Sequence, residues 1–153
     1  MTGPETRLAR VCAALNRQGA AYVVFGASAL QLWGSARATR DIDILIKPTV
    51  ENARRVLAAL AELGLGLAGE WLAEEVAAKP VTVLGDMPRV DILTVAWTVC
   101  YDEAAPAAAL FEIGGVEIPV ASIDHLIASK RTGRLQDAAD IEILEEIKRL
   151  RRV

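Results

Sequence analysis

The chain is expected to fold as an α/β domain built on a mixed β-sheet with helices mainly on one side. Three observations predict this. The 153 residues are 53% hydrophobic and 24% charged, enough chain and enough apolar surface for one core without disulfide or metal staples. Short β-branched runs alternate with helical periodicities along the sequence, the order expected of α/β architecture. No repeat, low-complexity tract or linker interrupts that order. One domain over 1–153 is therefore expected, with its core at 20–96 and a C-terminal helical part at 122–150.

The elements follow in turn. Residues 7–18 place Leu8, Val11, Cys12 and Leu15 at helical spacing, and Gly19 stops them. The run AYVVFG (21–26) is too short for a helix and reads as a buried strand ending at Gly26. A brief helix is expected from Ser28 to Trp33, then a strand IDILIK (42–47) closed by Pro48. Thr49 is placed to cap a helix carrying Ala53, Val56, Leu57 and Leu60 and ending at Gly64, after which GLGLAG reads as a loose connection. VTVLG (81–85) and RVDILTV (89–95), separated by DMP, predict an antiparallel hairpin. The alanine-rich segment 103–111 predicts a helix, and IGGVEIPV (113–120) a turn with short extended arms. Ser122 caps a helix ending at Gly133, and Asp137 caps the last helix, to Leu150.

Composition also excludes several functions. The longest apolar runs, such as ILTVAWTVCY at 92–101, fall short of the ~18 residues of a membrane span, and the N-terminal residues carry no secretory pattern. A cytoplasmic location is the simplest expectation. Cys12 and Cys100 lie far apart in apolar stretches, without disulfide or zinc spacing. A net charge of −3 exerts no global pull on polyanions, so any nucleotide contact depends on local charge. The apolar excess on a short chain points to a homodimer or hetero-complex surface.

Chemistry is concentrated in FGASALQLWGSARATRDIDILIK (25–47). Residues two apart on a strand share a face, with Cα atoms roughly 6.5–7 Å apart, so Asp41 and Asp43 can aim at one point. Two ionised carboxylates so placed repel, and magnesium, which favours carboxylate, phosphate and water oxygens at about 2.0–2.1 Å, would relieve them. Asp91 interrupts the apolar run RVDIL; if that strand neighbours IDILIK, three acids converge. Such a triad holds two ions about 3.5–4 Å apart for in-line displacement at phosphorus. The turn of Gly26, Ala27 and Ser28 leads a strand into a helix N-terminus, where free N–H groups and the dipole favour phosphate. Each feature also has a purely structural reading. Asp41 could close a strand end by pairing with Arg37 or Arg40, Asp43 could lie on a solvated edge, Asp91 could mark an exposed face, and Ser28 could be an ordinary N-cap.

Taken together, VVFGASALQLWGSARATRDIDILI, RVDIL and SIDHLIASKRTGRLQDAADIEIL resemble the nucleotidyltransferases of the DNA polymerase β superfamily, in particular the small bacterial branch that includes AbiEii-type toxins. The resemblance runs from Tyr22 to Leu144. It implies a polymerase β-like nucleotidyltransferase fold and transfer of a nucleoside monophosphate from an NTP, with ATP among the donors, to an acceptor hydroxyl on RNA, protein or a small molecule. Asp41, Asp43 and Asp91 would be the catalytic acids and ligands of two Mg2+ ions, with Mn2+ able to substitute. Gly26, Ser28, Arg40 and Lys130 would contact the nucleotide, and an antitoxin would be the partner of a toxin. Ala27 stands where many relatives carry glycine. Lys130 is equally readable as a solvated lysine, and Arg40 as a support for the acids. Asp137 and Asp140 are expected to cap the last helix, His125 to be half-exposed without a catalytic role, and KRLRRV (148–153) to complement a helix C-terminus or meet a partner. Trp33, Trp71 and Trp97 read as core or partner-facing anchors. The alternatives are a nucleotide-binding module without chemistry, acting through a partner, and a glycosyltransferase D-x-D.

Overall fold

The computed structural model describes residues 4–36, 39–65, 68–86 and 88–151. Its elements are α1 (Pro4–Arg17), β1 (Tyr22–Phe25), α2 (Gly26–Trp33), β2 (Asp41–Ile46), α3 (Val50–Glu62), α4 (Ala73–Ala78), β3 (Val81–Leu84), β4 (Arg89–Leu93), α5 (Tyr101–Ala104), β5 (Ala109–Ile113), β6 (Val116–Val120), α6 (Ile123–Ser129) and α7 (Leu135–Arg151). The six strands form one mixed sheet in the order β3-β4-β2-β1-β6-β5. β2 and β4 run parallel, as do β1 and β6, while β1–β2, β3–β4 and β5–β6 are antiparallel.

The register explains where the core sits. Directly opposed residues share a face, so Tyr22 and Val24 lie with Ile46 and Ile44, and these with Ile92, Val90, Thr82 and Leu84. Every one of these is buried. The opposite face is closed at Val23, Phe25 and Leu45 but open along β3, where Val81 and Val83 are exposed. That open area is the part of the sheet that carries Asp41, Asp43 and Asp91.

Local signals behave as the sequence predicts at several ends. Thr49 Oγ1 accepts the Asn52 amide at 3.1 Å and Ser122 Oγ the His125 amide at 3.1 Å, satisfying first-turn donors. Asn52 is itself buried, and its side chain accepts from Ala21 N at 2.7 Å and donates to Ala21 O and Lys47 O at 2.9 and 3.0 Å. It thereby joins the start of β1 and the end of β2 to α3.

Elsewhere tertiary structure overrides local propensity. The predicted helix at 103–111 is only α5 followed by a 3-10 turn at Ala105–Ala107, and its last residues belong to β5. Pro106 has no N–H with which to continue the helix, and Gly114 and Gly115, both at positive φ, turn β5 back onto β6. Phe111 then packs edge-on against Trp33, ring centres 5.1 Å apart. The connection read as loose after Gly64 contains a 3-10 turn at Ala68–Glu70 and then α4. Among the described residues, no helix is long and apolar enough to cross a membrane.

Candidate active site

β4 lies beside β2 so that Asp41 is opposite Arg89 and Asp43 opposite Asp91. All four side chains point to the open face, because alternate residues of a strand share a side. The result is a square of three carboxylates and one guanidinium. Arg89 Nε and Nη2 bind Asp91 Oδ1 and Oδ2 at 2.9 and 3.3 Å. Two-point pairing of this kind is the geometry a guanidinium offers a carboxylate. As placed, no group of three or more His, Cys, Asp or Glu side chains among the described residues is arranged to hold a metal ion.

Asp43 is the centre of the arrangement. β1 ends at Phe25, opposite Asp43, and the chain turns into α2 at Gly26 with φ +67°. A Cβ on Gly26 would stand 2.2 Å from Asp43 Oδ2 and 2.8 Å from its Cγ, so the carboxylate rests directly on the turn. Glycine is required there both by the left-handed backbone and by the absent side chain. Burial, and next the neighbouring Asp91 charge, push the Asp43 carboxyl up to about 6; Lys130 and Arg89 pull it down, and Asp41 adds to the rise.

The other predicted residues are placed as follows. Ser28 is buried in the first turn of α2, and its hydroxyl donates to the Asp41 carbonyl at 3.0 Å, tying the helix to the start of β2. Thr39 Oγ1 accepts the Asp41 amide at 3.1 Å, which holds the strand entry from the other side. Arg40 is exposed at that entry. Arg37 lies outside the described residues, as do the last two residues of the basic C-terminal run.

Lys130 ends α6 and is not a freely solvated lysine: its side chain is only 17% exposed, with Nζ 3.1 Å from Asp140 Oδ2 and 3.5 Å from Asp137 Oδ1. The helix-capping expectation for these two acids is therefore corrected. α7 begins at Leu135, which puts Asp137 within its first turn and Asp140 in the second. Asp140 is fully buried against Lys130, while Asp137 also accepts from Thr132 Oγ1 and from Arg134 Nε, the latter at 2.9 Å. Burial favours lone carboxylates only when cations balance them, and Lys130 balances both while still acting on Asp43.

His125 is half-buried, with Nδ1 3.1 Å from its cap partner Ser122 Oγ. Trp33 donates its indole N–H to the Ala121 carbonyl at 2.9 Å and lies under Arg151, whose Cζ is 4.8 Å from the ring centre. Lys148 pairs with Asp124 at 2.7 Å, so this part of the basic C-terminal run is committed within the chain. Trp71 stacks under Lys79, and Trp97 is exposed.

Sequence reasoning missed Arg89. The available signal was its position two residues before Asp91 in RVDIL, which places it on the same face as the acid. Its location beside Asp41 depends on strand order, which the local sequence does not state. In comparisons with known proteins, the chain matches no protein-family model and no curated relative.

Proposed function

We propose that the chain is a metal-dependent nucleotidyltransferase that moves a nucleoside monophosphate from an NTP to an acceptor hydroxyl and releases pyrophosphate. The observation that carries this reading is the parallel register of β2 and β4, which sets Asp91 beside Asp43 with Asp41 on the same face. Three carboxylates are the hard-oxygen donor set that Mg2+ or Mn2+ prefers. Burial first, and the neighbouring Asp91 charge second, raise the Asp43 carboxyl against the pull of Lys130 and Arg89, and a dication among the acids would relieve both. Asp41, Asp43 and Asp91 would hold the ions, which when bound supply charge stabilisation to the transferring phosphoryl group.

The chain's own residues perform the remaining tasks. Gly26 lets the Asp43 carboxylate rest on the turn, and a phosphate would meet the N–H groups at the start of α2 beside it. Lys130, held by Asp137 and Asp140, contributes a fixed positive charge beside the acids, and Arg40 a solvated one at the strand entry. Asp91, once an oxygen is free of Arg89, is the group positioned to accept the acceptor hydroxyl's proton. RNA, a protein hydroxyl and a small molecule are the acceptor classes.

The test is incubation with Mg2+ and each α-labelled NTP in turn, offering total RNA, cell lysate and small-molecule alcohols. Label should move with at least one donor and stop in Asp43→Asn and Asp91→Asn. No transfer with any donor counts against the enzyme. A second reading, a nucleotide-binding module without chemistry, draws on the internal pairing of Arg89 with Asp91 and of Lys130 with Asp137 and Asp140. It requires that Mg2+ and an NTP raise the Tm while no pyrophosphate is released.

A further inference from the structure

The two cations that act on Asp43 are held in different ways. Lys130 is largely buried and tethered by two carboxylates from α7. Arg89 is 47% exposed and is tied to the 17%-exposed Asp91, two residues away on its own strand. Arg89 also stands in register with Asp41, and both Asp41 and Asp43 favour its charged form after Asp91 itself does. Its guanidinium thus lies where the charges of three acids overlap, yet its stem opens to solvent. An exposed arginine can swing its own charge into water and leave the largely buried Asp91 to an incoming cation, whereas Lys130 is itself largely buried between two carboxylates.

We infer that Arg89 is the resident counter-cation of the acidic face and competes with the divalent ion for Asp91, so that metal entry requires its displacement. The inference rests on the metal-dependent reading above and assigns a regulatory role within that same site. Until a metal arrives, Arg89 offsets the repulsion among Asp41, Asp43 and Asp91. Breaking the pair is then a fixed cost of metal binding, which lowers the affinity of the acids for a single ion. Once displaced, the guanidinium stands beside Asp41 as a free two-point donor, a form suited to phosphate oxygens.

The experiment uses the whole chain and Mn2+ as probe, titrated by electron paramagnetic resonance without nucleotide. Arg89→Met should bind Mn2+ about three- to tenfold more tightly than the wild type, the range of a partly exposed pair. It should also melt lower without metal and gain more in Tm on adding MgCl2. Within an Asp91→Asn background the Arg89→Met substitution should change Mn2+ binding little, because the competition has been removed. If Arg89→Met folds poorly, Arg89→Lys, which loses the two-point pair but keeps the charge, should show the same direction at reduced size. In the wild type, the Nε–H resonance of Arg89 should shift as Mg2+ is added. Mn2+ affinity unchanged or weaker in folded Arg89 variants overturns the inference, as does an Nε–H signal that stays fixed while metal binds, or a chain that binds no Mn2+ with or without Arg89. These outcomes separate from the transferase test: a variant that transfers label but binds Mn2+ no tighter removes only this inference. Mn2+ competition without transfer by any donor removes only the transferase.

Discussion

The two faces of β2 and β4 form a natural contrast, because they are made by alternate residues of the same two strands. On the closed face, Ile42, Ile44, Val90 and Ile92 are packed into a continuous core. On the open face, Asp41, Asp43, Arg89 and Asp91 occupy the intervening positions. The first face supplies stability through apolar burial. The second loses stability through like charges held together, and recovers part of it through Arg89 and Lys130. A cluster of like charges is thus carried by a scaffold whose other side is strong enough to hold it.

That contrast can be broken most severely from the core side. Ile44 is fully buried at the centre of β2, and Ile44→Ala should cost about 4 kcal/mol, measured by denaturant unfolding, with no change in divalent-ion affinity below the transition. Next comes the turn that joins the faces. Gly26→Ala introduces a Cβ 2.2 Å from Asp43 Oδ2 at φ +67°, and a loss of about 3 kcal/mol is expected. Adding Asp43→Gly should restore part of that loss, so the double-mutant cycle should give a coupling well away from zero.

The open face should respond in the opposite direction. Asp43→Asn removes the charge that burial and Asp91 oppose, so in metal-free buffer at pH 7 it should stabilise the fold by on the order of 2 kcal/mol while abolishing transfer. The pH dependence has a definite sign. The folded-state value of about 6 lies above the ordinary 3.8, so the folded chain holds this proton more tightly than the unfolded one. The associated stability is complete below pH 3.8 and is lost as the pH rises through about 6. The wild type and Asp43→Asn should therefore melt alike at acid pH and diverge above it, and saturating MgCl2 should narrow the gap. The smallest effect is expected away from both faces. Arg17→Ala breaks an exposed pair with Glu62 at 2.6 Å and should leave the Tm and metal affinity unchanged within error.

Legibility from sequence followed the range of each interaction. The D-x-D pair was readable because period two is a local property of a strand, and Asp91 was readable as a polar interruption of an apolar run. Gly26 was readable as a turn, but the carboxylate that forbids its side chain was not, since Asp43 reaches it only through the β1–β2 register. Asp137 and Asp140 looked like caps because acids near a helix start usually are. The partner they share, Lys130, precedes α7 and caps the end of α6. The alanine-rich segment before β5 shows the same limit in reverse, as helix propensity yielded to pairing with β6.

By itself the sequence determined most of the helices and strands in their order, though not α4 or β5, the alternation that separates apolar from acidic positions, and the residue types available for chemistry. These are consequences of backbone geometry and side-chain polarity acting over a few residues. Only the tertiary structure decided that β4 lies parallel beside β2, that Asp91 meets Asp43 and Arg89 meets Asp41, and that Lys130 is shared by three acids. Those outcomes depend on which strands share an edge and which helices pack together. That choice is made by burying the whole apolar surface at once, and no short segment contains it.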